Sequence, residues 1–317
     1  MLYSPKPMHI PDGFLSVAVA IILWIVAIAV IAYALKRAGK ELGERQAPLM
    51  GVLAACIFAG QMLNFSVAGG TSGHLLGAAL ATILLGPWPA VLVLTCVVSA
   101  QALLFQDGGL LAMGGNIVNM AIVGVFVAHF TSSTIQRLAG GRRWGLAVRG
   151  FSAGWLSIFV AALACALELA LSGTSPANVA VPAMGGIHAL IGIGEGLITL
   201  GALAFIAAAR PDLVQQGASP RGGSRLVWGG GLLIAVLLAI ASPLASTHPD
   251  GLEWVAGQQG FLNLQQGPLY RIMPDYVFPG LSNQALATIV AGIVGALLVA
   301  GVAFAVAYTR RSRRVET

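Results

Sequence analysis

The stretch FLSVAVAIILWIVAIAVIAYAL at residues 14–35 decides the class of fold. It runs for 22 residues without a charged side chain, and about 20 apolar residues are enough for a helix to cross a bilayer. Eight further apolar segments follow, the third and fourth spans being separated by Gly86-Pro87-Trp88-Pro89. We therefore predict an all-α polytopic membrane protein with nine spans, at 14–35, 49–68, 75–86, 90–105, 117–130, 151–172, 186–209, 227–246 and 285–308.

The composition supports this class. Hydrophobic residues make up 57% of the chain and charged residues 9%, whereas a soluble domain carries about 25% charged residues. A soluble enzyme, a disordered chain and a secreted disulfide scaffold are thereby excluded. The cysteines at positions 56, 96 and 165 lie singly in apolar runs, which is typical of small hydrophobic residues in a core.

The basic residues orient the chain. With the N-terminus outside and the C-terminus in the cytoplasm, 15 of the 17 basic residues fall in cytoplasmic segments, as the positive-inside rule requires. These are Lys36, Arg37, Lys40, Arg45, Arg137, Arg142, Arg143, Arg149, Arg210, Arg221, Arg225, Arg310, Arg311, Arg313 and Arg314. Because they are spread over several loops without an aromatic platform, they indicate membrane topology in a cell membrane and not nucleic-acid binding.

A polar, Gly/Ser/Pro-rich segment at 210–226 divides the chain and is predicted to be a cytoplasmic linker. Before it lie an N-terminal extension, 1–7, and a seven-span core, 8–209. After it, 227–317 carries two spans flanking an extracytoplasmic loop at 247–284. No signal peptide is apparent, since the positive flank follows the first apolar run.

Histidines collect on the predicted outer face. His9, His74, His188 and His248 lie there, and His129 lies at an inner end. Imidazole is the commonest metal ligand at neutral pH, although a single histidine also serves as a helix cap. His9 stands in the turn-forming segment MHIPDGF, and His74 ends a glycine-rich loop that can approach a ligand closely. The residues alone leave two readings open: a metal site shared by these two histidines, and separate roles as helix caps or headgroup contacts.

Four segments carry a resemblance: MHIPDGFLS at 8–16, NFSVAGGTSGHLLG at 64–77, QALLFQDGGLLAMGGNIVNM at 101–120 and GIHALIGIGEGLIT at 186–199. They resemble, in the same order, the substrate-capture (S) component of cobalt and nickel energy-coupling-factor transporters, the CbiM/NikM family. The segments HPDGLEWVA at 248–256 and MPDYVFPG at 273–280 are similar to the small PDGLE-type accessory subunit of these systems, here fused to the core.

The resemblance implies a ligand set for a transported Ni²⁺ or Co²⁺ ion. Carried onto this sequence, the ligands are the Met8 amine, the His9 amide nitrogen and imidazole, and the His74 imidazole. Four nitrogens in a plane suit Ni²⁺, and with the nickel-like tail they favour nickel over cobalt. The sequence departs from the family pattern because seven residues precede Met8, and a free amine there requires translation to start at Met8 or the extension to be removed.

Further polar residues are candidates for supporting the ligands or gating the site. They are Asn64, Ser72, Asn116, His188 and Glu195, with helix capping as the alternative for the asparagines and a helix-packing hydrogen bond for Glu195. Asp12 is expected to stabilise the MHIPDG turn.

The resemblance also implies the partners. The sequence has no Walker A pattern, so we predict a transporter subunit and not an enzyme, driven by a membrane coupling (T) subunit and ATP-binding cassette ATPases. A passive metal channel or a membrane small-molecule receptor is the alternative.

We interpret the loop 247–284 as a structured cap that aids metal loading, with a second metal site as the other interpretation. We expect His248 to matter less than His9 or His74.

Overall fold

The computed structural model describes residues 8–41, 46–140, 142, 144–214 and 224–310. The predicted extension 1–7 and most of the predicted linker lie outside these residues. Among the described residues, six helices are long and apolar enough to cross a membrane: Val17–Gly39, Pro87–Phe105, Met113–Ala139, Gly145–Leu171, Ala177–Ala209 and Gln284–Arg310. Shorter apolar helices at Gln46–Gln61 and Trp228–Leu244 accompany them. The predicted all-α membrane architecture is confirmed.

The described elements follow in chain order. They are α1 (Val17–Glu41), α2 (Gln46–Gln61), β1 (Phe65–Val67), β2 (Thr71–Gly73), α3 (Ala78–Leu85), α4 (Pro87–Ala100), α5 (Met113–Asn116), α6 (Gly124–Ala139), α7 (Gly145–Leu171), α8 (Ala177–Ala209), α9 (Ser224–Ala241), α10 (Gly251–Gln259) and α11 (Gln284–Arg310). π-Helical turns at Gln101–Phe105 and Ile117–Val123 extend α4 and join α5 to α6.

Helix α1 has a buried face of small side chains and an exposed face of large apolar ones. Its fully buried residues Ala20, Ala27 and Ala34 recur every seven positions, which gives a narrow seam of small side chains for close helix packing. Its large side chains, such as Ile21, Ile25 and Ile28, are exposed. A helix in water would not present such a face, and in a bilayer that face meets lipid.

The non-helical connections on the predicted outer side meet at one end of the bundle. Thr174, after α7, donates to the Phe14 carbonyl before α1. The Met273 N–H donates to the Leu104 carbonyl at the end of α4, 3.0 Å away. The Ser246 N–H, after α9, donates to the Asn64 carbonyl after α2. The N-terminal arm, the loop after α2 and the loop between α9 and α11 are therefore neighbours, as alternating spans predict.

The third predicted span, 75–86, is shorter than a complete helical crossing. Helix α3 has 8 residues, roughly 12 Å at 1.5 Å per residue, against a hydrocarbon core of about 30 Å. The chain before it is extended, and the N–H groups of Leu76 and Gly77 donate to the Glu195 carboxylate of α8 at 2.6 and 3.1 Å. This carboxylate supplies the acceptors that non-helical backbone needs inside a membrane protein.

The loop before His74 is a two-stranded antiparallel hairpin, which the sequence prediction missed. Val67 pairs with Thr71 across Ala68-Gly69-Gly70, where both glycines adopt a positive φ. The hairpin's second strand then pairs with the C-terminal part of the chain, because Ser72 forms a parallel bridge with Asp250. The segment that carries His74 is therefore held between the core and the C-terminal loop.

The two C-terminal helices pack on the core chiefly through α2. Gly231 of α9 lies so close to α2 that an added Cβ would stand 2.0 Å from Cγ1 of Val52. Gly295 of α11 makes a similar approach to Phe58, at 2.3 Å from Cζ. Glycine at both positions lets the helices approach closely, which is the usual basis of helix association in membranes.

Candidate metal centre

The N-terminal arm, residues 8–16, is fixed by polar contacts with the segment 107–116. Asn116 binds both backbone groups of Ile10: its Oδ1 accepts the N–H at 3.0 Å, and its Nδ2 donates to the carbonyl at 3.1 Å. Asp12 accepts the N–H groups of Leu110 and Ala112, each at 3.0 Å. Asn116 is thus neither a helix cap nor a support of the His74 loop, and the Asp12 carboxylate binds this neighbouring segment instead of its own turn.

Glycine is required where the arm meets this segment. A Cβ on Gly109 would lie 2.1 Å from Oδ1 of Asp12, a distance at which atoms overlap. Gly108 has φ +95° and would place a Cβ 3.0 Å from that of His9. The Asp-Gly-Gly sequence at 107–109 therefore lets the backbone lie directly against the arm.

His9 and His74 face each other. Their ring centroids are 5.4 Å apart with an interplanar angle of 71°. His74 Nδ1 lies 3.0 Å from the Leu75 carbonyl, so that nitrogen carries the proton and Nε2 is left as a potential ligand. His9 is 5% exposed, and its Nε2 is buried without a hydrogen-bond partner among the described residues. Such groups are rare in folded proteins and call for a ligand or ion.

Asp107 lies at the centre of the arm's polar contacts. Its Oδ1 accepts the N–H of Met8 at 2.7 Å and that of His9 at 3.2 Å, and His9 Nδ1 lies 3.1 Å from the same oxygen. Its Oδ2 accepts the hydroxyl of Tyr276 at 2.6 Å. Burial raises the pKa of the Asp107 carboxyl, but His9, Tyr276 and the Met8 N–H lower it more, so the pKa lies below its usual range.

The contact between His9 and Asp107 also shifts the pKa of the His9 imidazole. Burial lowers the pKa of the His9 imidazole, and the adjacent Asp107 carboxylate raises it by more, with a further contribution from Asp250. The pKa therefore lies above its ordinary value. Two acidic side chains thus make this buried position favourable for positive charge.

A cavity of about 80 Å³ adjoins the two histidines. His188 and Asp250 also line it, and His188 Nδ1 lies 2.8 Å from the Met184 carbonyl, which leaves Nε2 without that bond. Asp250 is 4% exposed and begins α10 without capping it through its side chain. Asn116 and Asn119 also line it, and apolar and sulfur-bearing residues such as Ile158, Cys165 and Met184 form the remainder.

The other predicted residues lie around this cavity in different roles. Ser72 donates through Oγ to the His248 carbonyl at 2.9 Å and joins the hairpin to the C-terminal loop. Asn64 contributes its backbone carbonyl to Ser246. His248 is exposed, and its ring contacts Ser246. Within the described part of the chain no group of three or more His, Cys, Asp or Glu side chains is arranged to hold a metal ion, so the pair of histidines is the nucleus of the candidate site.

Three residues at this site were missed from the sequence. Asp107 is the one acidic residue between Glu44 and Glu168, and a lone carboxylate in an apolar stretch is the signal that marks it. Tyr276 and Asp250 were grouped with other polar residues of the C-terminal loop, and nothing in their local sequence separates them from exposed neighbours such as His248.

The fold and the cavity define a multi-pass α-helical membrane protein in which an N-terminal arm and a re-entrant loop present two imidazoles to a small buried space. The chain belongs to the family described as the cobalt uptake substrate-specific transmembrane region, matched over residues 9–213. A PDGLE domain is matched over residues 225–312.

Its relatives include fused nickel and separate cobalt transport proteins. NikMN of Archaeoglobus fulgidus, named as a fused nickel transport protein, is 40% identical over 96% of this chain and 99% of its own length. The cobalt transport protein CbiM of Sorangium cellulosum is 33% identical over 66% of this chain and 95% of its own. The crystal structure of a truncated transition metal transporter is similar with a TM-score of 0.58 and 34% identity, covering 64% of this chain and 99% of that one.

Proposed function

We propose that this chain is the substrate-capture component of an energy-coupling-factor transporter that imports Ni²⁺ in preference to Co²⁺. One observation carries the proposal: His9 and His74, from segments 65 residues apart, meet at one small cavity with their ring centroids 5.4 Å apart. The relatives named for nickel and cobalt transport support the substrate class.

The proposed ligand set is the one that the family resemblance implies, and the nitrogens at this position support it. His9 contributes its amide nitrogen and Nδ1, His74 contributes Nε2, and Met8 contributes its backbone nitrogen. Nitrogen-rich sets with little oxygen suit Ni²⁺ and Cu²⁺ and disfavour Mg²⁺. The Met8 nitrogen becomes an amine ligand when the chain begins at Met8, a processing that we propose and that an intact-mass measurement of purified protein decides.

The size of the cavity favours a metal ion over an organic ligand. Its volume of about 80 Å³ corresponds to two or three waters at roughly 30 Å³ each, whereas sites for small organic molecules measure about 300–1,000 Å³. This comparison disfavours a small-molecule receptor. Against a passive channel stands the convergence of several nitrogen ligands on one position, since a permeating ion has to leave its ligands readily.

The distribution of basic residues supports a cavity that opens outside the cell, as import requires. Because the basic residues concentrate in segments at the opposite ends of the helices from the cavity, the positive-inside rule places the cavity outside the cell. The cargo would be captured there and then exposed to the cytoplasm. A membrane coupling subunit and a pair of ABC ATPases would provide the energy, since the chain has no Walker A pattern of its own.

Equilibrium titration of the purified protein, with its N-terminus at Met8 verified by intact mass, with Ni²⁺, Co²⁺, Zn²⁺ and Mg²⁺ tests the proposal. We expect one ion to bind per chain without any partner subunit, Ni²⁺ more tightly than Co²⁺, and no binding of Mg²⁺. Tighter binding of Co²⁺ would reverse the preference, and failure of both Ni²⁺ and Co²⁺ to bind would refute the function.

A further inference from the structure

Three nitrogens of the N-terminal arm surround one oxygen atom. Met8 N, His9 N and His9 Nδ1 lie 2.7, 3.2 and 3.1 Å from Oδ1 of Asp107. The three belong to two consecutive residues, so they can bind one cation as a chelate. The Asp107 oxygen therefore lies at the point on which the three proposed ligand nitrogens converge.

The direction of the His9 N–H bond determines where a bound cation would lie. A cation that replaces the His9 amide proton, which passes to water, binds along the direction in which the N–H pointed. Here the N–H points to Asp107 Oδ1. With metal–nitrogen bonds of about 2.0–2.1 Å, the cation would lie about 1 Å from this oxygen, half the length of a metal–carboxylate bond. The cation and the carboxylate cannot both occupy these positions.

The position of the carboxylate is set by the C-terminal part of the chain. Tyr276 donates its hydroxyl to Asp107 Oδ2 at 2.6 Å, is 1% exposed, and stacks on Phe105 with centroids 4.8 Å apart. Asp275 and Tyr276 both have positive φ, 53° and 57°. Two consecutive non-glycine residues in this conformation are costly, and they persist only where the surrounding contacts determine the placement.

We propose that Asp107 is a reversible occupant of the metal position and that Tyr276 is the latch that holds it there. The carboxylate keeps the arm in its chelating shape, and metal enters as the carboxylate withdraws from the three nitrogens. Release of the Tyr276 hydroxyl permits this withdrawal, so the accessory domain controls loading through one hydrogen bond. This inference rests on the proposed function and adds positioning residues to it.

The test removes the hydroxyl of Tyr276 and, as a control, the hydroxyl of another tyrosine in the same loop. Tyr270 also donates to the core, to the Leu103 carbonyl at 2.9 Å, but does not touch Asp107. In stopped-flow mixing of full-length protein with Ni²⁺, we expect Tyr276→Phe to raise the association rate constant and the affinity, each by about tenfold, as for a lost hydrogen bond to a charged group. Tyr270→Phe should change neither by more than about twofold.

A double-variant cycle separates a latch from general loosening. Asp107→Ala should also accelerate association, and in its background Tyr276→Phe should add less than about a twofold effect, because the two residues act through one contact. If Tyr276→Phe leaves the rate unchanged, slows it, or accelerates it equally in the Asp107→Ala background, the latch is refuted. If wild-type protein binds neither Ni²⁺ nor Co²⁺, the proposed function fails and takes the latch with it. If Tyr276→Phe does not fold, slower association in Asp107→Ala alone refutes the inference.

Discussion

Glu195, in the middle of α8, accepts the backbone N–H of Leu76 at 2.6 Å, two residues after His74. Its other oxygen accepts the N–H of Gly77 at 3.1 Å, at the beginning of α3. A carboxylate at this point satisfies two backbone donors and opposes the positive end of the helix dipole. Glu195 therefore fixes the re-entrant segment, and with it the position of the His74 ring.

Replacement of Glu195 should weaken metal binding without changing any proposed ligand. In Glu195→Gln the neutral amide has one acceptor oxygen and presents N–H groups where a second acceptor is needed. We expect the Ni²⁺ affinity to fall by about tenfold to 100-fold, as for groups that orient metal ligands, measured by equilibrium titration.

Glu168 provides the matched control. It is a buried carboxylate of α7 that accepts from Asn119 at 2.7 Å, away from the His74 segment. Glu168→Gln should lower thermal stability while leaving the affinity within about threefold of wild type. An equal loss of affinity in both variants would contradict a specific role for Glu195.

The histidine substitutions rank the residues around the cavity. His9→Ala and His74→Ala should each reduce Ni²⁺ affinity by more than about 100-fold, since a lost ligand costs more than a lost supporting group. His188→Ala, which changes the wall of the cavity, should cost about tenfold. Equilibrium titration and the absorption spectrum of the bound ion measure both effects.

His248 is the control for these variants, because its side chain is exposed and contacts Ser246 in the same outer loop. His248→Ala should bind Ni²⁺ as wild type does. Loss of binding in His248→Ala equal to that in His9→Ala would mean that the C-terminal loop donates a ligand through that residue.

The arm offers a separate test of preorganisation. Asn116→Ala removes both hydrogen bonds to Ile10, worth about 2 kcal/mol together, so the arm loses its fixed shape and Ni²⁺ affinity should fall by about tenfold or more. Asn119→Ala is the control, since Asn119 is buried on the same stretch of chain and also lines the cavity, but binds Glu168 and not the arm. Equal affinities in the two variants, at equal thermal stability, would rule out a specific contribution of the Ile10 contacts.

The parts of this structure that follow local sequence patterns were predictable. Apolar runs of sufficient length identified the membrane helices, and turn-forming residues beside His9 and His74 identified the segments that meet at the cavity. Hydropathy failed at α3, because Leu75 and Leu76 are as apolar in an extended segment as in a helix. What replaces the missing helical hydrogen bonds is Glu195, 119 residues away from Leu76.

The residues that complete the site depend on long-range contacts that local patterns do not encode. Asp107 and Tyr276 are 169 positions apart, and their contact exists because the accessory loop folds back over the end of α4. The Gly69-Gly70 pair was a recognisable turn signal, and alternation in Phe65-Ser66-Val67 accompanied it. The hairpin was missed because the two glycines are equally typical of an irregular loop, which is how the segment was interpreted.

Gly251, the glycine of the PDGLE sequence, lies where the accessory domain touches α8. An added Cβ would lie 2.7 Å from Cδ1 of Ile191 and 2.9 Å from Cε1 of His188. Both partners are buried, so at least one of the two side chains has to shift, and overpacking of this kind costs about 1–3 kcal/mol. Gly257 lies in the same helix with nothing within 4 Å of its Cβ position, and alanine there should stabilise α10 by up to about 1 kcal/mol. We expect Gly251→Ala to lower the thermal stability and weaken Ni²⁺ binding by shifting His188 and the adjoining Asp250, whereas Gly257→Ala should leave binding unchanged. Thermal unfolding and titration of both variants measure this, and wild-type binding in Gly251→Ala would show that the cavity does not depend on how closely the accessory domain packs on α8.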